Sequence, residues 1–398
     1  MKLKILIFTL LIVLTFSSLL LAQETPVQKM FFTLFNNDYE NIEELFTDNF
    51  LQQVPAANVE QILNSYSSQL GELKEVKQTQ EGYSLIFENG SAPSQLTLND
   101  QGKVAGLWFG SISLSQDNFD DILNGFKELE GDVSVYVAKN NSEEVVAYNS
   151  DKDLAVGSTF KLYVLKALYD SIKTTDKAWD DIIRLEEKNM TLPSGIIQNW
   201  SIDTPVTVKT LSSLMISLSD NTATDHLIDY VGRKNIEKMV DKKNIPFLKT
   251  SDMFKIKYGI GDDKVNEYLN NSVEGKREIL NKLDDITVSR NDISGSAKLI
   301  DSIEWFFTTK ELSNIIYELK DADEISINPG LASKENWYKV GYKGGSEIGV
   351  LQLTHLLQKN ANSDIYTVSV TVNNQNGVES NKIQELVSRL ISVVDNLN

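Results

Sequence analysis

The chain has 398 residues, 41 % of them hydrophobic, with 38 Lys plus Arg against 56 Asp plus Glu and a formal net charge of −18. This length accommodates two domains with real cores, and the acidic balance, with no basic cluster interleaved with aromatics, argues against a nucleic-acid partner. There is no cysteine and there are two histidines, His226 and His355, so disulfides, thiolate metal sites and a cysteine nucleophile are excluded, and a Ser-His-Asp triad or multi-histidine metal site has almost nothing to be built from. A hydrolase in this chain would need lysine or a carboxylate as its base.

The first residues read as an export signal. Met1, Lys2, Leu3 and Lys4 form a basic start, residues 5–21 are apolar, and Ala22 before Gln23 is an acceptable small residue at a cleavage point. An uncleaved anchor is the alternative, since the run is near the lower limit for a span. No cysteine follows, which excludes lipid attachment there, and either way the remainder is expected to work outside the cytoplasm.

Residues 26–112 read as a small unit. Val27, Met30, Phe31 and Leu34 mark one helix face; Val59, Ile62, Leu63, Tyr66 and Leu70 mark another, expected to start at Asn58, with Gln61 in the reciprocal capping position, and to stop at Gly71. Tyr83, Leu85 and Phe87, then Leu96 and Leu98, then residues 104–109 alternate as strands, with turns at 88–90 and 99–102. Helices followed by an antiparallel sheet predict an α+β cone, NTF2/cystatin-like, in which the sheet curls around the helices. Its aromatics, Trp108 among them, are expected in a core or a domain contact rather than around a ligand.

After a short linker, residues 118–398 form the second predicted domain. Phe119, Ile122, Leu123 and Phe126 open it with an amphipathic helix; Val133, Val135 and Val137 and then residues 144–148 make a hairpin around Asn140, Asn141 and Ser142. Residues 338–343, 348–357 and 366–372 read as three more strands, and Ile383, Leu386, Val387, Leu390, Ile391 and Val394 as one face of a last helix. Two strands from the front and three from the back predict one five-stranded antiparallel sheet with flanking helices. The mostly helical stretch 158–326 would be an insertion packed against that sheet, leaving a cleft between the sheet edge and the helical body.

Three short patterns fall beside that cleft. Ser158 stands where a loop becomes a helix whose apolar face is Phe160, Val164, Leu165, Leu168 and Ile172. A serine there caps helices, but Lys161 lies three residues on, on the same face, close enough to take its hydroxyl proton. Residues 219–225, Ser-Asp-Asn-Thr-Ala-Thr-Asp, interrupt a helix marked by Leu211, Leu214, Met215 and Leu218, before Leu227, Ile228 and Val231 resume it. That break reads equally as a plain turn. Lys343, Gly344, Gly345 and Ser346 end a strand, where two glycines permit close backbone approach and the lysine adds a positive charge; the alternative is a strand-end turn with a solvated lysine.

Together and in this order, Ser-x-x-Lys, Ser-Asp-Asn and a lysine-glycine strand resemble the signature of penicillin-binding proteins and class A β-lactamases. The first two match in full; at the third, Gly344 replaces the usual threonine or serine. The resemblance covers about residues 117–398. It is nearest to the serine-hydrolase branch that includes the β-lactamase-like protein of clavulanic-acid gene clusters, in which a small cone-like domain precedes the catalytic one; Leu192 to Gly195, Met253 to Lys255 and Ile303 to Phe306 also look like that branch.

The resemblance implies an exported serine hydrolase without metal or cofactor. In it Ser158 is the nucleophile, Lys161 its general base and Ser219 a proton relay to the leaving group. Asn221 holds the substrate amide, and Lys343, Gly344, Gly345 and Ser346 form the substrate-binding strand. The backbone N–H groups of Ser158 and Ser346 form the oxyanion hole. An alkoxide-generating lysine must be neutral, so Lys161 is expected to have its pKa lowered by burial and by Lys343. The family's water-activating Glu-x-x-Leu-Asn is missing: Glu267 and Glu278 open runs one residue short of it, and Glu304 is expected in a packed turn. Three functions follow: β-lactam hydrolysis; cleavage of esters or of peptidoglycan D-Ala-D-Ala on the same machinery; or a slowly deacylating β-lactam sensor or wall-binding module. His226, a tempting extra base, reads as a hydrogen-bonded structural residue.

Overall fold

The computed structural model describes residues 24–397 except 80, 81, 111, 116 and 294; the expected export signal, residues 1–22, lies outside the described residues. Two compact units are present, one of residues up to 88 with 94–109, the other of residues 89–93 with 110–397. Among the described residues no helix is long and apolar enough to cross a membrane.

In the first unit α1 (Pro26–Phe35) opens with a Thr25 and Gln28 capping box, followed by α2 (Asp48–Gln53) and α3 (Ala56–Leu70). Helix α3 starts two residues ahead of the expected Asn58, because Pro55 presets the backbone at its start and no side chain caps it. Gly71, at φ 78°, ends it as expected. Strands β1 (Leu73–Gln78), β2 (Tyr83–Phe87), β3 (Gly90–Leu98) and β4 (Val104–Phe109) follow, the first four residues of β3 being counted with the second unit. β1 escaped the sequence reading: only Leu73 and Val76 of its six residues are buried, so it has no period-two signal. Trp108 is 52 % exposed, so it is not a buried core residue.

The second unit adds β5 (Ser113–Leu114), which pairs with Gly90 and Ser91, and α4 (Phe119–Lys127), capped by Asn118. Its sheet runs β12-β13-β14-β6-β7, all antiparallel, from β6 (Asp132–Lys139), β7 (Glu143–Tyr148), β12 (Lys339–Glu347), β13 (Val350–Gln358) and β14 (Ile365–Asn373). Between front and back strands lie β8 (Leu154–Ala155), α5 (Lys161–Thr174), β9 (Ile182–Arg184), β10 (Pro205–Thr207), α6 (Val208–Ser217), α7 (Asn221–Val231), α8 (Arg233–Glu237), α9 (Thr250–Phe254), α10 (Asp262–Leu269), α11 (Val273–Leu280), β11 (Phe306–Phe307) and α12 (Thr309–Glu318), with α13 (Ser380–Asp395) last.

Alternation along the sheet explains both of its faces. Val133, Val135, Val137, Val368, Val370 and Val372 turn to one side and form a core with Ile122, Phe126, Leu386 and Leu390 of α4 and α13. The other side carries Ser134, Gln352, Thr354, Thr367 and Ser369, yet it is buried under helices, not solvated. Hydroxyls meet across it, Ser134 with Thr309 at 2.8 Å and Thr159 donating to Gln352 Oε1 at 2.6 Å, so these groups keep partners out of water, whereas the buried Thr371 Oγ1 has none among the described residues. A second core fills the helical body, where Phe160 stacks on Trp305 at 3.7 Å and packs beside Phe247.

Candidate active site

Ser158 belongs to a single 3₁₀ turn, Gly157–Phe160, that runs directly into α5. Gly157 has φ 48°, a left-handed backbone for which glycine carries no steric penalty. The turn lies against β12, the sheet's edge strand, and Gly345 makes that approach possible. A Cβ on Gly345 would stand 2.1 Å from Val156 O, 2.6 Å from Ser158 N and 2.8 Å from Thr159 N. A Cβ on Gly157 would in turn stand 3.1 Å from Ser346 N. The amides of Ser158 and Ser346 therefore flank one small gap, kept open by two residues without side chains.

Strand alternation sets the other side of the site. Lys343, Gly345 and Glu347 face the helical body, whereas Tyr342 packs against the opposite core. Lys343 is buried, and its ammonium donates to Ser219 Oγ at 3.1 Å and to the Gly344 carbonyl. Lys161, also buried, donates to Ser219 O at 2.6 Å, Ser219 Oγ at 3.2 Å and Asn221 Oδ1 at 2.8 Å. One hydroxyl thus bridges two buried amines. Burial, and then the charge of Lys343, hold Lys161 well below the ordinary lysine range, while burial alone brings Lys343 down to about 7.

The expected hydrogen bond between Ser158 Oγ and Lys161 is not made; among the described residues none reaches Ser158 Oγ. The amine turns instead to the carbonyl oxygen of Ser219 and the side-chain oxygen Oδ1 of Asn221, which accept hydrogen bonds but cannot donate them. A neutral amine has two protons for these three oxygens, so its lone pair is left to a hydroxyl. Ser158 and Ser219 are half-buried and Ser346 is exposed, so the hydroxyls are reachable from solvent while both amines are not.

The polar break is shorter than the sequence suggests. Helix α7 resumes at Asn221 because Asp220 caps it, accepting from Ala223 N at 2.8 Å. Only Leu218, Ser219 and Asp220 separate the helices, and Ser219 sits at φ 55°, an uncommon conformation for a residue with a side chain. Asp220 also accepts from the amides of Ile196 and Ile197 at 2.7 and 2.9 Å, and Asn221 Nδ2 donates to Leu192 O at 3.0 Å. Loop 191–197 is thereby fastened to the serine corner, and Gly195 is where a Cβ would strike Asp220. His226 is saturated: Nε2 accepts from Glu186 N at 2.8 Å and Nδ1 meets Thr222 O at 2.7 Å, as a structural histidine would.

Two other features answer the departures noted in the sequence. The hydroxyl of Tyr342 stands 2.1 Å from where a Gly344 Cβ would be, so it occupies the space a threonine would fill, a contact two residues along one strand face that spacing alone does not reveal. Glu304 lies in a packed segment as expected, but its carboxylate is paired with Lys257 at 2.7 Å. Glu267 and Glu278 are exposed on helix surfaces. Among the described residues no group of three or more His, Asp or Glu could hold a metal ion.

Sequence comparison adds similarities to this geometry. Residues 116–300, which include Ser158, Lys161, Ser219 and Asn221 but end before Lys343, match the β-lactamase enzyme family. Distant curated relatives include a β-lactamase of Amycolatopsis lactamdurans, 31 % identical over 100 residues covering 25 % of this chain and 32 % of that protein, and one of Bacillus amyloliquefaciens, 29 % identical over 113 residues, 28 % of this chain and 36 % of that one. The chain spans about a third of the length of the curated relatives it matches. Among solved structures, a β-lactamase from Sphaerobacter thermophilus aligns over 71 % of this chain and 98 % of its own at 18 % identity, TM-score 0.49. PBP-A aligns over 70 % and 96 % at 13 % identity, TM-score 0.47.

Proposed function

We propose that this protein is an exported serine hydrolase that forms an acyl-enzyme on Ser158, with β-lactams as its substrates. The observation that carries the reading is the Ser219 hydroxyl held between two buried amines, both with depressed affinity for protons, beside the paired amides of Ser158 and Ser346. Ser158 Oγ attacks the lactam carbonyl as its proton passes to neutral Lys161, and the tetrahedral oxyanion accepts hydrogen bonds from the Ser158 and Ser346 amides. Ser219 gives its proton to the departing nitrogen and is reprotonated by Lys161. Lys343 supplies charge to an anionic substrate, and the second N–H of Asn221 remains for a substrate carbonyl. Export rests on the basic and apolar pattern of residues 1–22, and the branch with a preceding small domain on the order of the two units.

Water must then release the acyl group, and here a second reading has support. Glu304 is tied to Lys257, and Glu267 and Glu278 are exposed on helix surfaces. Slow deacylation follows, which favours a peptidase, esterase or β-lactam-sensing role on the same machinery. Intact-mass analysis with benzylpenicillin, run beside colour release from a chromogenic cephalosporin, tests both. A +1 penicillin adduct on the wild type that Ser158→Ala lacks is the expected result, with rapid colour release marking hydrolysis and a persistent adduct marking trapping. An adduct that survives Ser158→Ala would refute the assignment.

A further inference from the structure

Lys257 takes no part in the chemistry above, yet it is fully buried, in a single π-helical turn, Lys255–Gly259. Its ammonium donates to Glu304 Oε1 at 2.7 Å and to Glu347 Oε1 and Oε2 at 2.7 and 2.8 Å. These carboxylates belong to the two backbone segments that carry the paired amides. Glu347 directly follows Ser346 on β12 and shares the inward face with Lys343 and Gly345. Glu304 directly precedes Trp305, whose carbonyl accepts from Val156 N at 3.0 Å, two residues before Ser158; β11 continues that pairing, Phe306 with Ala155 and Phe307 with Leu154. One lysine therefore ties together the supports of both donors.

The protonation of the cluster agrees with a tie of this kind. Burial, and then the neighbouring charge of Glu304, push the Glu347 carboxyl above the ordinary carboxylate range. Glu304 Oε2 is buried and has no hydrogen-bond partner among the described residues, so it is an acceptor open to a donor on Glu347. Burial by itself would lower Lys257, but Glu304 and Glu347 more than offset it and raise its pKa. Buried ionic groups of this sort are often replaceable by apolar residues without loss of stability, which makes geometry, not stability, the better account of its presence.

We propose that Lys257 is a positioning residue, one that fixes the separation of the Ser158 and Ser346 amides by clamping the segments behind them. The proposal rests on the Ser158 reading given above. Displacing a reacting group by about 1 Å costs on the order of a hundredfold in rate, and each oxyanion donor is worth about 10² to 10³.

The test uses the full-length protein, with acylation by benzylpenicillin followed by quenched intact mass over a range of concentrations, and binding of a phenylboronic acid that places an oxygen between the two amides. Lys257→Met should lower the limiting acylation rate about a hundredfold and weaken the boronic acid similarly, with the concentration for half-maximal rate little changed. Glu347→Gln, which keeps an acceptor for Lys257 and a donor for Glu304, should stay within about threefold of wild type, whereas Glu347→Leu should match Lys257→Met. A folded Lys257→Met acylating at the wild-type limiting rate would overturn the proposal. So would equal rates for Glu347→Gln and Glu347→Leu, a comparison that still decides the matter if Lys257→Met does not fold. Failure of the Ser158 reading is separately visible, since the adduct would then persist in Ser158→Ala.

Discussion

The two units are built on opposite terms. In the first, Phe31, Leu34, Phe46, Leu70 and Leu85 are wholly buried, and Ser94 is the one buried polar residue among those described. The second buries Lys161, Lys257, Lys343, Glu304, Glu324, Asp220, Asp225 and both histidines. Removing an ionisable group from water costs several kcal/mol unless it is paired or shifts its pKa. A unit that does so repeatedly carries a cost its neighbour avoids, and two of these groups that have no carboxylate partner, the amines of Lys161 and Lys343, converge on Ser219. On the proposed function the second unit trades stability for chemistry, so substitutions in the two units should move stability and acylation in opposite senses.

The largest expected effect is that of Lys161→Met. It removes the proposed base and should lower acylation by about 10² to 10⁴. It also replaces a buried amine with an apolar chain of similar length, so the thermal midpoint should rise. Calorimetry beside quenched acylation reads both quantities, and a fall in both would break the contrast.

Next comes the pair of glycines on β12. Gly345→Ala must push backbone atoms of residues 156, 158 and 159, and should reduce acylation about 10² to 10³ through the oxyanion donors. Gly344→Ala meets chiefly the end of the Tyr342 side chain, which can turn away, and should change the rate by less than about tenfold. Rates measured on both variants at matched folded fraction decide whether close approach matters at one position only.

These glycines also mark the boundary of what the sequence makes legible. Period-two and period-3.6 patterns find the sheet and its covering helices, because Val133, Val135 and Val137 or Leu386, Val387 and Leu390 answer to a single local geometry. The three motifs find Ser158, Lys161, Ser219, Asn221 and Lys343, which the fold gathers at one corner. Other contacts leave no local signal. Lys257 reaches Glu304 and Glu347 across 47 and 90 residues of chain, and Lys161 prefers Ser219 O and Asn221 to the serine three residues before it. Strand β1 and the exposure of Trp108 escape for a different reason: a mostly exposed strand has no pattern to read, and aromatic character does not say which side of a strand faces water.

A smaller effect should appear with pH. Lys343, at about 7 in the folded protein, is charged below that value and neutral above it. The concentration of an anionic penicillin giving half-maximal acylation should rise several-fold between pH 6 and 8, and Lys343→Met should flatten that rise. The sign for stability follows by linkage. From about 7 up to the ordinary lysine value the unfolded chain binds more protons than the folded one, so Lys343 adds stability as pH rises through that window, and the slope difference between wild type and Lys343→Met measures it. A steeper rise in the variant would contradict the burial of a nearly neutral amine.

On acylation the smallest effect belongs to Phe31→Ala in the first unit. Phe31 is fully buried and meets Tyr83 edge-on at 5.5 Å, so truncation should cost about 3 to 5 kcal/mol in denaturant unfolding of that unit. Phe31 belongs to the unit that does not carry Ser158, and the acylation rate per folded molecule should stay within about twofold of wild type. Titrating reactive Ser158 with excess penicillin separates the number of competent molecules from their rate. A fall in number alone keeps the chemistry within the second unit; a fall in rate would mean that the apolar core of the first also bears on the reaction, and that its lack of buried charge does not mark it as bystander.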